Sequence, residues 1–336
     1  MSSPFLQNKS QPGNGSIHLA LLPPDTPRLR TLKYQYPLKL VSPAPLRTSS
    51  DANYLIHTVY LLTYGGGLVA GDAIDLQVTI ESTTRLVLLT QGSTKLFKAP
   101  SRDVISKQRM QVELHSGAAL CYLPDPVQPF AHSCFEQHQI YNLTASGSNS
   151  STLGSLCVLD WVSNGRPANG EDWSFFRYGS KNEIHVTDAD GNRRLLLRDS
   201  ILLDDEGKEG SLANRMDGLA AFGTLILYGP LFQQLGRFFM DEFKTLPRIG
   251  GRKWDSGSGS ESGDEDVDPA LARRAVRQRH DSEDGLLWSV ASVRGCVVVK
   301  FGAKEVDHGR RWLRVMLTEE GTIIREFGER ALLCLR

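Results

Sequence analysis

Hydrophobic and polar residues alternate along much of this chain with the period of a β-strand. In Ala73–Glu81, Ile74, Leu76, Val78 and Ile80 fall on one side, while Asp75, Gln77, Thr79 and Glu81 fall on the other. Strand-length runs recur at Leu55–Leu62, Leu86–Gln91, Ser106–His115, Ala119–Leu123, Phe135–Leu143, Leu156–Trp161, Asn182–Thr187 and Arg194–Leu203, each bounded by turn residues. Asp190-Gly191 between the last two signals a hairpin. Two segments break this period. After an apolar strand at Leu219–Tyr228, Pro230 can open a helix on which Leu231, Leu235, Phe238, Phe239 and Phe243 share a face. Val306, Leu313, Met316 and Leu317 predict a second helix, with Gly309 as a weak point. The pattern predicts a mainly β protein with two α-helices toward the C-terminal part.

The first 16 residues are polar and rich in Ser, Gly and Pro, which predicts a disordered tail before one β-rich domain over 17–336. Residues 254–285 read as an inserted segment. An acidic, low-complexity half (Ser-Glu-Ser-Gly-Asp-Glu-Asp) precedes the basic run Arg273-Arg274-Ala-Val-Arg277-Gln-Arg279. Lys and Arg together number 38, equal to Asp and Glu, so no global field favours nucleic acid or an anionic membrane. No apolar run approaches the ~20 residues of a membrane helix. The first residues lack a secretory pattern, and the five scattered cysteines suit reduced thiols, so a cytoplasmic protein is expected.

The densest glycine cluster, Gly65-Gly66-Gly67 with Gly71-Asp72, runs into the Ala73–Glu81 strand. Glycine loops that cradle phosphates open onto a helix, whose N-terminal amides hold the anion. A strand follows here and no Gly-Lys-Ser/Thr is present, so these glycines are expected to serve positive φ or close backbone approach. No Gly-x-Ser-x-Gly elbow or His-Glu-x-x-His helix appears. His132, Cys134, Glu136 and His138 would share one strand face and form the densest set of metal-capable side chains. Asp72, Asp125, Asp160 and Glu171 stand beside turns. Each could cap its own backbone, or several could converge on a hydrated interior path that holds a divalent cation loosely through oxygen.

These blocks, taken in order, resemble the UreD (UreH) family of urease accessory proteins. The resemblance rests on Gly65–Asp72 and its strand, and on Leu89-Thr90-Gln91-Gly92-Ser93-Thr94-Lys95-Leu96-Phe97. It is extended by Tyr36-Pro37-Leu38-Lys39-Leu40, by Tyr122–Pro126 with Phe130-Ala131, and by Leu159-Asp160-Trp161 with Gly165-Arg166 through Gly170-Glu171 and Trp173. It is strongest from Leu32 to Leu203 and weaker toward the C-terminus. Asp160 stands where the family commonly has glutamate, and the 254–285 insertion has no counterpart in the shorter family pattern.

The resemblance implies a nickel-insertion chaperone component and scaffold without catalysis of its own. Its implied partners are apo-urease, a UreF-like helical accessory protein and, through that protein, a UreG-like GTPase that binds the GTP. Nickel would be cargo in transit, with no permanent cofactor. The implied fold is a β-helix-like, solenoid stack of short strands with two α-helices. Asp72, Asp160 and Glu171 become expected nickel-path residues, with Thr90 and Lys95 as further channel or structural polar groups. Gly65, Gly66, Gly67, Gly71, Thr90, Gln91 and Lys95 carry the motif. A different class remains open, a β-solenoid carbohydrate-active hydrolase or lyase using Asp72, Asp125 and Asp160 as acid–base carboxylates. An adaptor whose acidic arm binds a basic partner is a third.

Overall fold

The computed structural model describes residues 11–47, 55–144, 153–188, 190–206, 210–246 and 269–336. Two β-sheets dominate, one of seven strands and one of twelve. The chain weaves between them. Ala73–Ile80 lies in the smaller sheet and Arg85–Leu89 in the larger; Ser106–Leu114 returns to the smaller and Ala119–Tyr122 to the larger. Cys134–Thr144, Ser155–Ser163 and Arg177–Thr187 continue the alternation. Strands that follow one another within a sheet are therefore parallel. Parallel neighbours usually need a helical crossover; here a strand in the facing sheet supplies it. The corners stack as well. Thr84 N donates to Glu81 O at 3.1 Å and Ala118 N to His115 O at 3.0 Å, and Thr83 N bonds Ser116 O across the two turns at 3.1 Å.

Antiparallel strands close both sheets. Thr26–Tyr34 and Arg193–Asp204 form the edges of the smaller one. In the larger, Ser155–Ser163 is followed outward by Ala221–Tyr228, Cys296–Ala303 and Leu287–Val293. The hairpin expected at Asp190-Gly191 joins Arg177–Thr187 to Arg193–Asp204, with Asp188 Oδ1 accepting from Asn192 N at 2.8 Å.

Alternation sets two cores. Leu156, Val158 and Val162 point between the sheets, while Cys157, Leu159 and Trp161 point outward beneath the helices. The larger sheet is thus covered on both faces, which explains why Ser155–Ser163 is buried along its whole length and reads as a continuous apolar run. α1 (Leu212–Met216) packs on the inter-sheet core through Leu212, whereas the outer layer contains α2 (Gln233–Lys244), α3 (Pro269–Glu283), α4 (Val306–Glu320) and α5 (Thr322–Phe327). Leu235 and Phe239 of α2 and Trp312, Leu313, Met316 and Leu317 of α4 are buried against the sheet. Gly309 is buried in α4, and a Cβ there would meet the Phe301 ring at 3.4 Å, an ordinary contact distance that does not demand glycine. All five cysteines are buried free thiols.

Three expectations need correction. The described chain holds five α-helices, not two. A strand begins at Asn14 and pairs with both Thr26–Tyr34 and Ala73–Ile80, so the proposed tail to residue 16 is too long; residues 1–10 lie outside the described residues. Within the 254–285 insertion, Pro269–Glu283 is α3, pinned to α2 by Arg274 and Arg277 on Glu242; 254–268 lie outside the described residues.

The glycine cluster forms a 3-10 turn at Tyr64–Gly66 followed by extended chain, and no helix starts there. Gly65 and Gly66 have φ near +75° (74° and 75°) and Gly71 85°. Gly67 is extended, and a Cβ on it would lie 2.3 Å from Lys95 O. Gly67→Ala should therefore lower stability by about 1–3 kcal/mol through overpacking, and Gly65→Ala by about 1–2 kcal/mol through backbone strain alone. Urea unfolding midpoints would check this, and an unchanged midpoint for Gly67→Ala would count against the close approach.

Candidate functional site

The interior between the sheets is apolar except along one seam. On Cys134–Thr144 the inward positions run Phe135, Gln137, Gln139, Tyr141 and Leu143; on Arg177–Thr187 they run Tyr178, Ser180, Asn182 and Ile184. Opposite them the larger sheet presents Asp160, which is 3% exposed. Asp160 Oδ2 accepts from Ser180 Oγ at 2.5 Å and Asn182 Nδ2 at 2.6 Å, and Oδ1 accepts from Gln137 Nε2 at 3.1 Å. Three donors of one sheet thus hold one carboxylate of the other.

Register carries the seam both ways. Asn182 pairs with Asp199 in the smaller sheet, and Asp160, Thr224 and Lys300 pair successively in the larger. Lys300 Nζ reaches Asp199 Oδ1 at 2.7 Å and Thr224 Oγ1 at 3.2 Å, closing the seam with an ion pair between the sheets. In the other direction Gln108 Nε2 approaches Gln137 Oε1 at 3.4 Å. Gln108 also lines a small cavity of about 20 Å³ together with Thr90 and Tyr122. Thr90 then forms part of an outer cavity of about 590 Å³, with Gln91, Asp125, Arg310 and Cys334. Thr90 Oγ1 donates to Asp125 Oδ2 at 3.1 Å and accepts from Asp125 N at 2.8 Å.

Burial pushes the Asp160 carboxyl above its ordinary range, against the hydrogen bonds from Ser180, Asn182 and Gln137, and the nearby Asp199 adds to the rise. Burial likewise raises the Tyr141 and Tyr178 phenols, so both stay neutral. Asn182 Oδ1, Tyr178 Oη and Asp199 Oδ2 are buried without a hydrogen-bond partner among the described residues. Buried polar atoms without protein partners ordinarily imply water or an ion. A carboxylate, amides and hydroxyls are hard oxygen donors that bind a hydrated divalent cation weakly, unlike imidazole or thiolate.

Of the other expected site residues, only Thr90 touches this seam. Asp72 caps its own turn, with Oδ2 accepting from Val69 N at 2.8 Å. Glu171 is paired with Arg166 and accepts from Ala131 N at 3.1 Å. Lys95 and Gln91 are exposed, and Thr90 is buried at the seam's outer end. Among the described residues, no hydrogen bond or ion pair joins Asp72 or Glu171 to Asp160. Asp125 lines the outer cavity, held by Thr90 and by Arg310 at 2.9 Å. Asp72, Asp125 and Asp160 thus occupy three different settings and form no acid–base pair.

The metal-capable set at His132–His138 also separates. His132 precedes the strand with a φ of 62°, Cys134 is buried, Glu136 pairs with Arg177, and His138 approaches Glu183. Among the described residues, no group of three or more His, Cys, Asp or Glu is arranged to hold a metal. Gln137, Ser180, Asn182, Asp199, Thr224 and Lys300 escaped the reading of the sequence. Their signal was present as polar residues at inward positions of otherwise apolar strands, as in Phe135-x-Gln137-x-Gln139-x-Tyr141.

A two-sheet protein with strand crossovers, a helical outer layer and a polar seam through its core is thus defined. The family model described as UreD urease accessory protein matches residues 13–331, and the chain belongs to that family. It is similar to "Urease accessory protein 4" of Cryptococcus neoformans var. grubii, 32% identical over 92% of this chain and 90% of that one. An "Uncharacterized urease accessory protein ureD-like" of Schizosaccharomyces pombe is 29% identical over 86% and 88%. "Urease accessory protein D" of Arabidopsis thaliana is 34% identical over 63% and 67%. No helix among the described residues is long and apolar enough to cross a membrane.

Two carboxylates should give opposite pH dependences. Burial opposes ionisation of Glu183, but His138, Lys181, Arg198 and His185 outweigh it and hold its pKa down at about 2, against an ordinary 4.5. The stability Glu183 contributes is present above pH 4.5 and is lost as pH falls through about 2. Asp160 runs the other way. Its folded-state pKa lies above 3.8, so its stability contribution declines as pH rises above that value. Denaturation midpoints measured against pH should show a shallower acid loss in Glu183→Gln and the removal of the opposing slope in Asp160→Ala. Identical profiles for wild type and both variants would contradict these assignments.

Proposed function

We propose that this protein is a urease maturation scaffold that holds apo-urease and passes nickel toward its active site along the Asp160 seam. The carrying observation is the buried carboxylate, ringed by neutral oxygen and amide groups and continuous through Gln137 and Gln108 with the cavities at Thr90. A conduit needs ligands that favour a divalent cation over bare apolar core yet release it. One carboxylate supplies charge, and amides and hydroxyls replace part of the hydration shell without the grip of histidine or cysteine. Thr90 and Asp125 stand at one end of the seam, beside the outer cavity, and the Asp199–Lys300 ion pair at the other.

The family membership and the names of the relatives support a role in the urease machinery. A UreF-like helical protein and, through it, a UreG-like GTPase are the further partners in this reading. The glycine bend is consistent with nucleotide chemistry residing in that GTPase. The protein itself turns over no substrate and works in the cytoplasm.

The test is urease activation in cells lacking this chain, complemented with wild type, Asp160→Ala, Asp72→Ala or Glu171→Ala. Asp160→Ala is expected to lower nickel per urease at least tenfold while co-purification with apo-urease is unchanged. The other two variants should load normally, because Asp72 caps its own turn and Glu171 is held by Arg166 and Ala131 N away from the seam. Full nickel loading with Asp160→Ala would remove the seam from the pathway, and full loading without the protein would remove the proposed role altogether.

A further inference from the structure

The outer face of the helical layer carries a second, unrelated feature. A groove of about 960 Å³ between α3, α4 and the chain end is lined by Arg273, Arg277, Arg310, Arg311, Arg314 and Arg336. Only Asp307 and Glu319 oppose them among its lining residues. Four of the arginines have partners: Arg277 on Glu242 and Glu319, Arg310 on Asp125 and Asp307, Arg311 at 3.5 Å from Asp284, and Arg336 at 3.8 Å from Glu329. Arg273 and Arg314 are exposed and have no carboxylate partner among the described residues. Beside these cations lies apolar surface, with Val276 54% and Val315 40% exposed. Val315 lines both this groove and an adjoining hollow of about 510 Å³ that includes Val276.

We propose that this groove docks a carboxylate-bearing amphipathic helical segment of a partner protein. Arg273 and Arg277 stand four residues apart on α3, as do Arg310 and Arg314 on α4, so the arginines form two rows about 6 Å long, each with one member free of carboxylates (Arg273, Arg314) and one already paired (Arg277, Arg310). Rows suit carboxylates spaced along a helix, which arginine can meet in bidentate fashion. A compact phosphate asks instead for donors converging on one point. Arginine rims around exposed valines also match a partner helix with leucines between its acidic residues, a helix-in-groove mode of recognition. Residues 255–268 of this chain are acidic, but Val267 is their only large apolar residue, so they offer little to cover Val276 and Val315. The platform itself is firm. Arg274 is doubly bonded to Glu242, and Gln278 Nε2 reaches Thr245 Oγ1 at 2.8 Å, fixing α3 on α2.

The position has a consequence for the outer cavity. Arg310 and Arg336 line both the groove and that cavity. A docked acidic segment therefore borders the Thr90 mouth and competes with Asp125 for Arg310. This inference does not depend on nickel passing through the seam, since α3 and its arginines lie on the opposite side of the larger sheet from Asp160.

The experiment measures fluorescence anisotropy of a fluorescein-labelled 15-residue helical peptide with glutamates at i, i+4 flanking leucines, titrated with the full-length chain. Wild type should bind it, with affinity falling steeply as salt is raised. Arg273→Glu with Arg314→Glu should weaken binding at least tenfold, while the urea midpoint and circular dichroism stay unchanged because both side chains are exposed. The same peptide with lysine for glutamate should bind this double variant and not the wild type. Absence of binding to wild type, or equal binding to the double variant, would overturn the proposal. So would displacement by inorganic triphosphate at peptide-like concentrations, which would point to a small anion. Binding seen only after Glu261→Gln, Asp264→Asn, Glu265→Gln, Asp266→Asn and Asp268→Asn would also overturn it, making the chain's own acidic stretch the occupant.

Discussion

A carboxylate shut between two sheets has to be met by donors from the facing sheet, and Asp160 is met by three. Charge-assisted hydrogen bonds contribute about 1.5–3 kcal/mol each, while burying a charge costs several kcal/mol even after relaxation. The balance leaves little net stability, yet a leucine here would do worse, because Gln137, Ser180 and Asn182 would each become a buried donor without its acceptor, at about 1–3 kcal/mol apiece. What the carboxylate adds is a charged, oxygen-lined point in the middle of an apolar core. The order of the surrounding polar groups follows from it. Gln137, Ser180 and Asn182 must sit on neighbouring strands at one level, and the Lys300–Asp199 bridge must span the sheets beside them.

The weave of the chain makes such a level possible. Because each strand crosses to the facing sheet before the next parallel neighbour is laid down, residues about 30–40 apart arrive side by side in register. Gln108, Gln137 and Ser180 are successive partners across three parallel strands in this way. The larger sheet, sealed by α2 and α4 on its outer face, then fixes Asp160 from behind through Trp161. The Trp161 indole donates to Pro124 O at 2.9 Å and lies against Phe301, and a Cβ on Gly223 would come within 2.5 Å of the Trp161 Cβ. That close packing ties the position of the carboxylate to the helical layer, which in turn carries the arginine groove.

Much of this was legible in the sequence. Strands with one face in the inter-sheet core announced themselves by alternation, and Pro230 marked the approach to α2. The Asn14–Leu22 strand was hidden because its Gly-Ser-rich entry resembles tail, and its order comes from partners in Thr26–Tyr34 and in Ala73–Ile80, the latter 61 residues away. Helix α3 was hidden for another reason. It has no apolar stripe to speak of, and ion pairs from Arg274 and Arg277 to Glu242 hold it. Asp160 could be singled out as an acid within an apolar run. Its partners could not, because nothing in a single strand says which strand will face it. Asp72 and Glu171 looked equivalent to Asp160 on paper, and only the turn that Asp72 caps and the Arg166 pair of Glu171 separate them from it.

In the proposed pathway nickel occupies the interior beside Asp160 on its way to urease. Anomalous diffraction at the nickel edge, from crystals of the protein bound to apo-urease and soaked in nickel, tests it most directly. A peak between the sheets within coordination distance of Asp160, lost in Asp160→Ala, is the predicted result. Nickel found only outside the inter-sheet core, for example beside His138 and His185, with the seam empty in wild type, would contradict it.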